Sequence, residues 1–315
     1  MNNEPQLSDL RVFCAVVRCG SFINTATDLG ASPAHISKRI ATLEAQLGVK
    51  LFHRTTRRVV LSQDGEMVFA SARKMLADME SLSDIIASNR SEPSGTLRVS
   101  ASLRLGRLHV SHVLSLLEKR YPRLEIWLEL MDRPVDLVGE GFDIDLRIGA
   151  PTRQQLIGHH LVSGSRILCA APAYLARRGH PATLDDLQRH ECLVVRDREH
   201  SFGVWRLDGP DGTESVKVHG RFAANSSDVV LNWARDGHGI VLLSGWDVAA
   251  EIGAGTMQRV LPLHSEPADV WAMTSTRSSN SAKINACVAF LKEHLSQGPH
   301  ALLQPKPLAP LVAVA

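Results

Sequence analysis

Residues 20–61 constrain the fold of this 315-residue chain more than any other stretch. They contain two short amphipathic segments separated by a glycine and a Ser-Pro pair. In the second segment, four apolar residues recur at intervals of 4, 3 and 4: Ile36, Ile40, Leu43 and Leu47. That spacing places them on one face of a helix. Gly48 follows where a left-handed residue often ends a helix, and two short apolar runs then flank a basic tip. This order predicts a winged helix-turn-helix.

The charge of the same stretch points to a phosphate-containing partner. Residues 33–58 hold six lysines and arginines against one acid, Glu44, whereas the rest of the chain holds 29 against 32. A local excess of +5 on a nearly neutral protein is typical of contact with nucleic acid. The alternative is a basic face that is merely solvated. Because the basic residues coincide with the helix-turn-helix pattern, we favour binding to double-stranded DNA.

Many residues at fixed spacing resemble the DNA-binding domain of LysR-type transcriptional regulators. The matching residues include Gly20-Ser21-Phe22, Ile36-Ser37, Leu43-Glu44, Leu47-Gly48, Leu51-Phe52 and Arg54-Thr55 with Arg57. Length and domain order are also similar over roughly residues 5–300. The resemblance implies a sequence-specific DNA-binding regulator, with a DNA-binding domain at 1–62 and control by a small-molecule effector. It allows RNA polymerase as a further partner.

The recognition helix departs from the family pattern at its start. Many members have a glutamine that reads a base where this chain has Pro33, and a small residue where it has His35. Proline cannot donate, so that contact does not carry over. The predicted base readers are His35, Lys38 and Arg39. The wider predicted DNA-contacting set adds Ser21, Ser32, Pro33, Ala34, Ser37, Arg54, Thr55, Arg57 and Arg58.

Residues 63–90 are predicted to form one long helix. Its apolar positions approach a heptad seam: Phe69, Ala72, Leu76, Met79, Leu82 and Ile86. In the family this linker helix pairs with a partner, which implies a homodimer or a dimer of dimers. The alternative is a helix packed on its own domain.

A Pro- and Gly-containing break at 91–95 separates this helix from a predicted α/β domain at 96–297. Alternating strands and helices predict two βαβ-type units with mainly parallel sheets. The resemblance implies a two-lobed domain of periplasmic-binding-protein type. Its first lobe would comprise about 96–162 and 267–297, and its second about 163–266. Residues 298–315 lack a period and are predicted to be a loose tail.

Effector-binding candidates lie where strands end and helices begin, because such places collect N–H groups and hydroxyls that bind carboxylates. They are Ser100, Ser102, Leu103, Arg147, Asn225 and Ser226. Ser226 could instead be a simple helix cap, and Arg147 could instead form a structural ion pair with Asp145. By resemblance the effector is a small organic anion, a carboxylate. The wing and the Ser-Pro-Ala segment are similar to regulators of hydroxy-dicarboxylate catabolism.

Other functional classes have little support. The chain lacks G-x-S-x-G, H-E-x-x-H, Walker and G-x-G-x-x-G motifs, so we predict no enzyme activity and no cofactor. Adjacent His159 and His160 cannot share a face, so no metal site is predicted there. No C-x-x-C pair occurs, although redox sensing through Cys169 and Cys192 stays open. An architectural DNA-binding protein would not need the second half. No signal peptide or membrane segment is evident, which predicts a cytoplasmic protein.

Overall fold

The computed structural model describes residues 4–54, 59–88, 92–149, 156–196, 203–275 and 281–305. Three predicted DNA-contacting residues, Thr55, Arg57 and Arg58, lie outside these ranges, and so do the side chains of Arg54, Leu82 and Ile86. The chain forms two compact units. The first comprises residues 1–91 with 136–141, and the second comprises 92–135 with 142–315.

The first unit is a three-helix core followed by a hairpin and a long helix. Its elements are α1 (Leu7–Cys19), α2 (Phe22–Asp28), α3 (Pro33–Leu47), β1 (Phe52–Arg54), β2 (Val59–Leu61), α4 (Gln63–Ser88) and the later α7 (Leu137–Glu140). Phe13, Ile36, Leu43 and Leu51 are almost completely buried between the helices and the hairpin. The apolar spacing of α3 therefore faces the core, and the strands β1 and β2 pair antiparallel as a wing.

The first turns of α4 pack on their own domain. Ala72 is buried, and Phe69 meets the ring of Phe13 edge-on with centroids 6.2 Å apart. Phe69 and Ala72, two positions of the predicted dimer seam, therefore pack inside their own domain. This is the alternative that the sequence left open for this part of the helix. By contrast, Met75 and Met79 are exposed.

The second unit contains two sheets, one in each lobe. The first lobe holds β3 (Gly95–Ala101), α5 (Leu103–Leu105), a π-helical turn at Gly106–Val110, α6 (Ser111–Arg120), β4 (Leu124–Leu130), β5 (Ile144–Ile148), β6 (Leu156–Val162), β15 (Val270–Ser275) and α11 (Ala282–Ser296). The sheet order is β4-β3-β5-β15-β6. Strand β3 runs parallel to β4 and β5, whereas β15 is antiparallel to β5 and β6. Strand β6 was not predicted from the sequence.

The second lobe is more antiparallel than predicted. It holds β7 (Ser165–Ala170), α8 (Pro172–Arg178), a 3-10 turn at Asp185–Arg189, β8 (Cys192–Val195), β9 (Val204–Gly209), β10 (Gly212–Lys217), β11 (Ala223–Ala224), α9 (Ser227–Arg235), β12 (Ile240–Ser244), α10 (Gly245–Gly253), β13 (Gln258–Arg259) and β14 (Ser265–Pro267). Among the described strands of this sheet, only β11, β8 and β12 run parallel. The prediction of a mainly parallel second sheet is wrong, because β7 is antiparallel to β12, β13 and β14, and the hairpin of β9 and β10 adds a further antiparallel pair.

Residues 298–305 are not a loose tail. Leu302 is 5% exposed and belongs to the core of the first lobe. Gln304 and Pro305 lie so close to Gly245 that a Cβ at that glycine would collide with both. Residues 306–315 of the predicted tail lie outside the described part of the chain. No helix in the described ranges is long and apolar enough to cross a membrane.

Candidate DNA-binding surface and ligand cleft

The recognition helix α3 begins at a serine cap. The Ser32 hydroxyl accepts the backbone N–H of His35 at 3.2 Å, and Pro33 occupies the first turn, where its missing N–H costs nothing. Ser21 caps α2 in the same way, accepting from Asn24 at 3.4 Å. Both hydroxyls thus define where the two helices start. Their contact with phosphate stays a prediction.

One face of the first turns of α3 is open to solvent. The exposed residues there are Pro33, Ala34, His35, Ser37 and Lys38. The opposite face carries Ile36 and Ile40, which are buried in the domain core. A helix anchored by one face presents the other to a ligand surface, and in helix-turn-helix proteins that surface is the major groove. The predicted contacts around His35 and Lys38 therefore lie on one accessible surface.

Arg39 has a partner inside the protein. Its guanidinium forms an ion pair with Asp9 of α1 and donates to the Ser8 hydroxyl at 2.7 Å. Asp9 is 6% exposed, so the pair fastens α3 to α1 at the edge of the core. We therefore omit Arg39 from the proposed base-reading set and retain His35 and Lys38.

Glu44 connects α3 to the wing. Its buried carboxylate accepts the backbone N–H of Leu51 at 2.9 Å and the Lys50 ammonium at 2.7 Å. Burial raises the pKa of Glu44, but these hydrogen bonds outweigh burial and hold the pKa below its ordinary value. Lys50 is consequently neutralised by a protein partner. In the wing, the backbone of Arg54 in β1 lies opposite that of Val59 in β2, and this is the described strand pair nearest to the tip.

The second unit has a cleft of about 530 Å³ lined by residues of both lobes. Three of the predicted effector-binding residues line it, namely Ser102, Arg147 and Asn225. The other three do not. Ser100 is fully buried and its hydroxyl donates to Asp145 at 2.5 Å. The backbone N–H of Leu103 donates to Asp132 at 2.9 Å. Ser226 is the N-cap residue of α9 by backbone position, but its side chain makes no capping hydrogen bond.

Arg147 is held by three hydrogen bonds within its own lobe. Its Nε donates to Asp145 at 2.8 Å, and its two terminal nitrogens donate to the carbonyls of Met131 and Arg133 at 2.8 and 2.9 Å. These bonds use three of the five guanidinium N–H groups and tie Arg147 to the loop after β4. The structural ion pair with Asp145, the alternative left open by the sequence, is therefore present.

Arg104 is a residue of this cleft that the sequence analysis missed. It lies in the first lobe but pairs with Asp228 of α9 and Asp247 of α10, both in the second. Its Nε is 2.8 Å from Asp247 Oδ1, and it also donates to the Asp247 carbonyl at 3.1 Å. Arg107 adds a second contact to Asp228 at 2.7 Å. Nothing in the local sequence indicates these partners, because they are separated from Arg104 by more than a hundred residues.

Asp247 is the most perturbed carboxyl group near the cleft. Burial raises the pKa of Asp247 to about 6, Arg104 opposes this rise, and the charges of Asp228 and Glu251 add to it. Burial lowers the pKa of Arg104, but the two aspartates overcome this and hold the pKa above its ordinary value. The pair is thus a charged contact across the lobes in which the acid titrates close to neutral pH.

Two further arginines of the second lobe line the cleft without an acidic partner. Arg196 and Arg206 are exposed, and neither forms an ion pair with another residue that the structure describes. Arg166, in contrast, is paired with Glu266 at 2.7 Å. The cleft therefore contains cationic side chains that no described residue neutralises, and Trp205 also lines it. Within the described ranges, no group of three His, Cys, Asp or Glu side chains could hold a metal ion.

An open recognition helix, a wing and a two-lobed α/β domain with a polar cleft define a DNA-binding transcriptional regulator with an effector-binding domain. Comparison with known families identifies the kind of regulator. Residues 7–66 match the bacterial regulatory helix-turn-helix protein, lysR family, and residues 90–296 match the LysR substrate binding domain. The chain belongs to the LysR family of transcriptional regulators.

Individual relatives agree with this assignment over nearly the whole chain. The HTH-type transcriptional regulator DmlR of Escherichia coli (strain K12) is 43% identical over 94% of this chain and 97% of its own. The HTH-type transcriptional activator TtdR of Escherichia coli O6:K15:H31 (strain 536 / UPEC) is 38% identical over 92% and 94%. The full-length structure of AphB from Vibrio cholerae is similar with a TM-score of 0.61, at 25% identity over 92% and 100%.

Proposed function

We propose that this regulator responds to a small organic anion, a carboxylate, bound in the cleft between the two lobes. The observation that carries the proposal is the pair Arg196 and Arg206, which line the cleft with no ion-pair partner among the described residues. Arginine recognises carboxylates through two parallel N–H donors, and a cleft with spare guanidinium groups favours an anion. Ser102 and Asn225 supply neutral hydrogen-bonding groups beside them.

A hydroxy-dicarboxylate is the finer form of this proposal. The sequence resemblance to regulators of hydroxy-dicarboxylate catabolism supports it, and so does the chemistry of the lining. Two guanidinium groups suit two carboxylates, whereas the hydroxyl and amide side chains suit an alcohol. The chain would act in the cytoplasm as a homodimer or a dimer of dimers on promoter DNA, with His35, Lys38 and the wing contacting the duplex.

A thermal-shift screen with di- and hydroxycarboxylates tests the effector. A ligand that binds only the folded protein raises the melting temperature as its concentration exceeds the dissociation constant. We expect stabilisation of the full chain by at least one such acid, and a loss of roughly tenfold in affinity in Arg206→Gln, because one charge-assisted contact is removed. The same result is expected for Arg196→Gln.

Arg221→Gln is the matched control. Arg221 is an exposed arginine of the same lobe, its side chain is 85% exposed, and it does not line the cleft. This variant should bind the acid as the wild type does. The proposal fails if no carboxylate stabilises the protein, or if all three variants retain wild-type affinity.

A further inference from the structure

A second polar cavity lies in the second lobe, at the end of the sheet remote from the cleft. Strand β7 is antiparallel to β12, with Arg166 opposite Ser244, and both of these residues line the effector cleft. At the other end β7 passes into α8, and a 3-10 turn leads back to β8. Between them is a cavity of about 400 Å³ lined by Arg177, Arg178, His180, Asp186, Arg189 and His190.

The lining is strongly cationic. Three guanidinium groups and two imidazoles surround the cavity, against a single carboxylate. Arg177 and Arg178 each use one terminal nitrogen on a backbone carbonyl, at 2.8 and 3.3 Å, and neither forms an ion pair with a residue in the described ranges. Arg189 approaches Asp186 only to 3.9 Å and is 87% exposed. With both histidines neutral, the three arginines and one aspartate give the lining a net charge of +2.

The carboxylate of Asp186 is hydrogen-bonded to the backbone of its own turn. It accepts the backbone N–H groups of Ala182 and Thr183, both at 3.0 Å. These hydrogen bonds lower the pKa of Asp186, so it stays ionised as part of the turn. Its role is therefore to shape the loop that carries Arg189. This arrangement leaves the arginines as the groups that decide what the cavity binds.

His190 contributes a defined hydrogen-bond donor. It is 8% exposed, and its Nδ1 lies 3.0 Å from the Tyr174 hydroxyl. That hydroxyl accepts the backbone N–H of Glu191 at 3.0 Å, so its own hydrogen is available to Nδ1. The neutral tautomer that accepts this hydrogen carries its own proton on Nε2 and so keeps one N–H donor. Burial and the nearby Arg178 lower the pKa of His190, so the ring donates while neutral.

We propose that this cavity is a second ligand site, specific for the phosphate group of a small phosphate monoester. Three arginines and one N–H donor match the several acceptor oxygens of a phosphate, and a net lining charge of +2 matches its dianion. The cavity volume leaves room for a small polar group attached to the phosphate. The proposal is independent of the carboxylate effector, since the cavity shares no lining residue with the cleft.

Phosphorus NMR on the full chain, in a buffer free of phosphate and sulfate, tests the site. The probes are inorganic phosphate and glycerol 3-phosphate, with dimethyl phosphate as a singly charged diester. We expect the wild type to broaden the signals of the first two, and the double variant Arg178→Gln/Arg189→Gln to lose about tenfold or more in affinity. The single variant Arg189→Glu repeats the test at a highly exposed position where the fold is not at risk.

Arg120→Gln is the control for charge alone, since Arg120 is an exposed arginine of α6 in the other lobe. It should bind phosphate as the wild type does, and so should the cleft variant Arg206→Gln. The proposal is overturned if the wild type does not broaden either signal, if the double variant binds like the wild type, or if Arg206→Gln abolishes binding. Equal binding of dimethyl phosphate would also overturn it, because that result would indicate the phosphodiester of a nucleic acid.

Discussion

Lys38 and Arg39 are adjacent basic residues with different roles. Both are polar positions between the buried residues of α3, and both counted equally toward the basic patch. Lys38 is exposed, whereas Arg39 reaches back to Asp9 and Ser8 of α1. A helix turns by about 100° per residue, so neighbouring side chains meet different surroundings. Lys38 is therefore available to bind DNA, whereas the guanidinium of Arg39 is already bound to α1.

Two substitutions separate these roles. Lys38→Ala should weaken DNA binding and make it less dependent on salt, because a base-reading lysine also brings a positive charge into the groove, and the melting temperature should be unchanged. Asp9→Asn should lower the free energy of unfolding by about 1 to 2 kcal/mol, because Arg39 loses its charged partner but can still reach solvent. Gel shifts at two salt concentrations and chemical denaturation measure both. An unstable Lys38→Ala with normal DNA affinity would contradict the assignment.

At the scale of elements, α4 serves two purposes along its length. Phe69 and Ala72 complete the core of the DNA-binding domain. Further along, Met75 and Met79 are exposed. Together with Leu82 and Ile86 they form a series of apolar residues at intervals of 4, 3 and 4 in the sequence. That interval makes one apolar stripe on a helix and is the spacing of a coiled-coil seam. The proposed dimer contact therefore begins near residue 75.

Charged residues in this stripe should dissociate the dimer. The double variant Met75→Glu/Met79→Glu would place four carboxylates in the interface of the two helices, so we expect a monomer by light scattering and weaker binding to a two-half-site operator. Met67→Glu is the control. Met67 is also exposed, but it lies roughly 60–120° around the helix from the residues of the stripe. An unchanged mass for the double variant would place the dimer contact elsewhere.

The sequence predicted elements whose causes are local. The bounds of α3 follow from Ser32, Pro33 and Gly48, and those of α8 from Pro172 and its neighbours, because caps and breakers act within a few residues. The family resemblance supplied the two-lobed fold. Strand β6 was missed, since six of its seven residues are half-buried and show no clear alternation. The antiparallel pairs of β13 and β14 with β7 were missed because they join short strands from distant parts of the chain.

The candidate sites show the same limit. The basic surface of α3 follows from helical spacing alone, but the partner of Arg39 is 30 residues away and could not be predicted. In the cleft, three of the six predicted residues are present, and Arg104 was overlooked. Its partners Asp228 and Asp247 come from another lobe, so only the folded chain brings these charges together. Long-range ion pairs leave no periodic signal in a sequence.

At the scale of the whole effector-binding domain, Arg104 joins the two lobes beside the cleft. The charged groups that act on Asp247 are Arg104, Asp228 and Glu251. Arg107 is linked to this group by its ion pair with Asp228. A ligand that enters this cleft shares it with a buried aspartate whose pKa is about 6. The strength of the contact between the lobes is therefore expected to vary with pH near neutrality.

The sign of this dependence follows from proton binding. The pKa of Asp247 is raised from 3.8 to about 6 in the folded protein, so between these values the folded state binds more protons than the unfolded state. The contribution of Asp247 to stability is then greatest at low pH and is lost as pH rises through about 6. A shift of this size corresponds to at most about 3 kcal/mol.

The variant Asp247→Asn should remove this contribution, since an amide does not titrate. We expect the difference in free energy of unfolding between wild type and variant to change steadily between about pH 4 and pH 6 and to level off above about pH 7. Denaturation of the full chain at a series of pH values, followed through the transition of the effector-binding domain, measures it. Asp211→Asn, at the exposed turn between β9 and β10, is a control outside the ion-pair network and should keep the wild-type profile. A constant difference between wild type and Asp247→Asn across the whole range would show that folding does not raise the pKa of Asp247, and that the contact between the lobes does not respond to protons through this group.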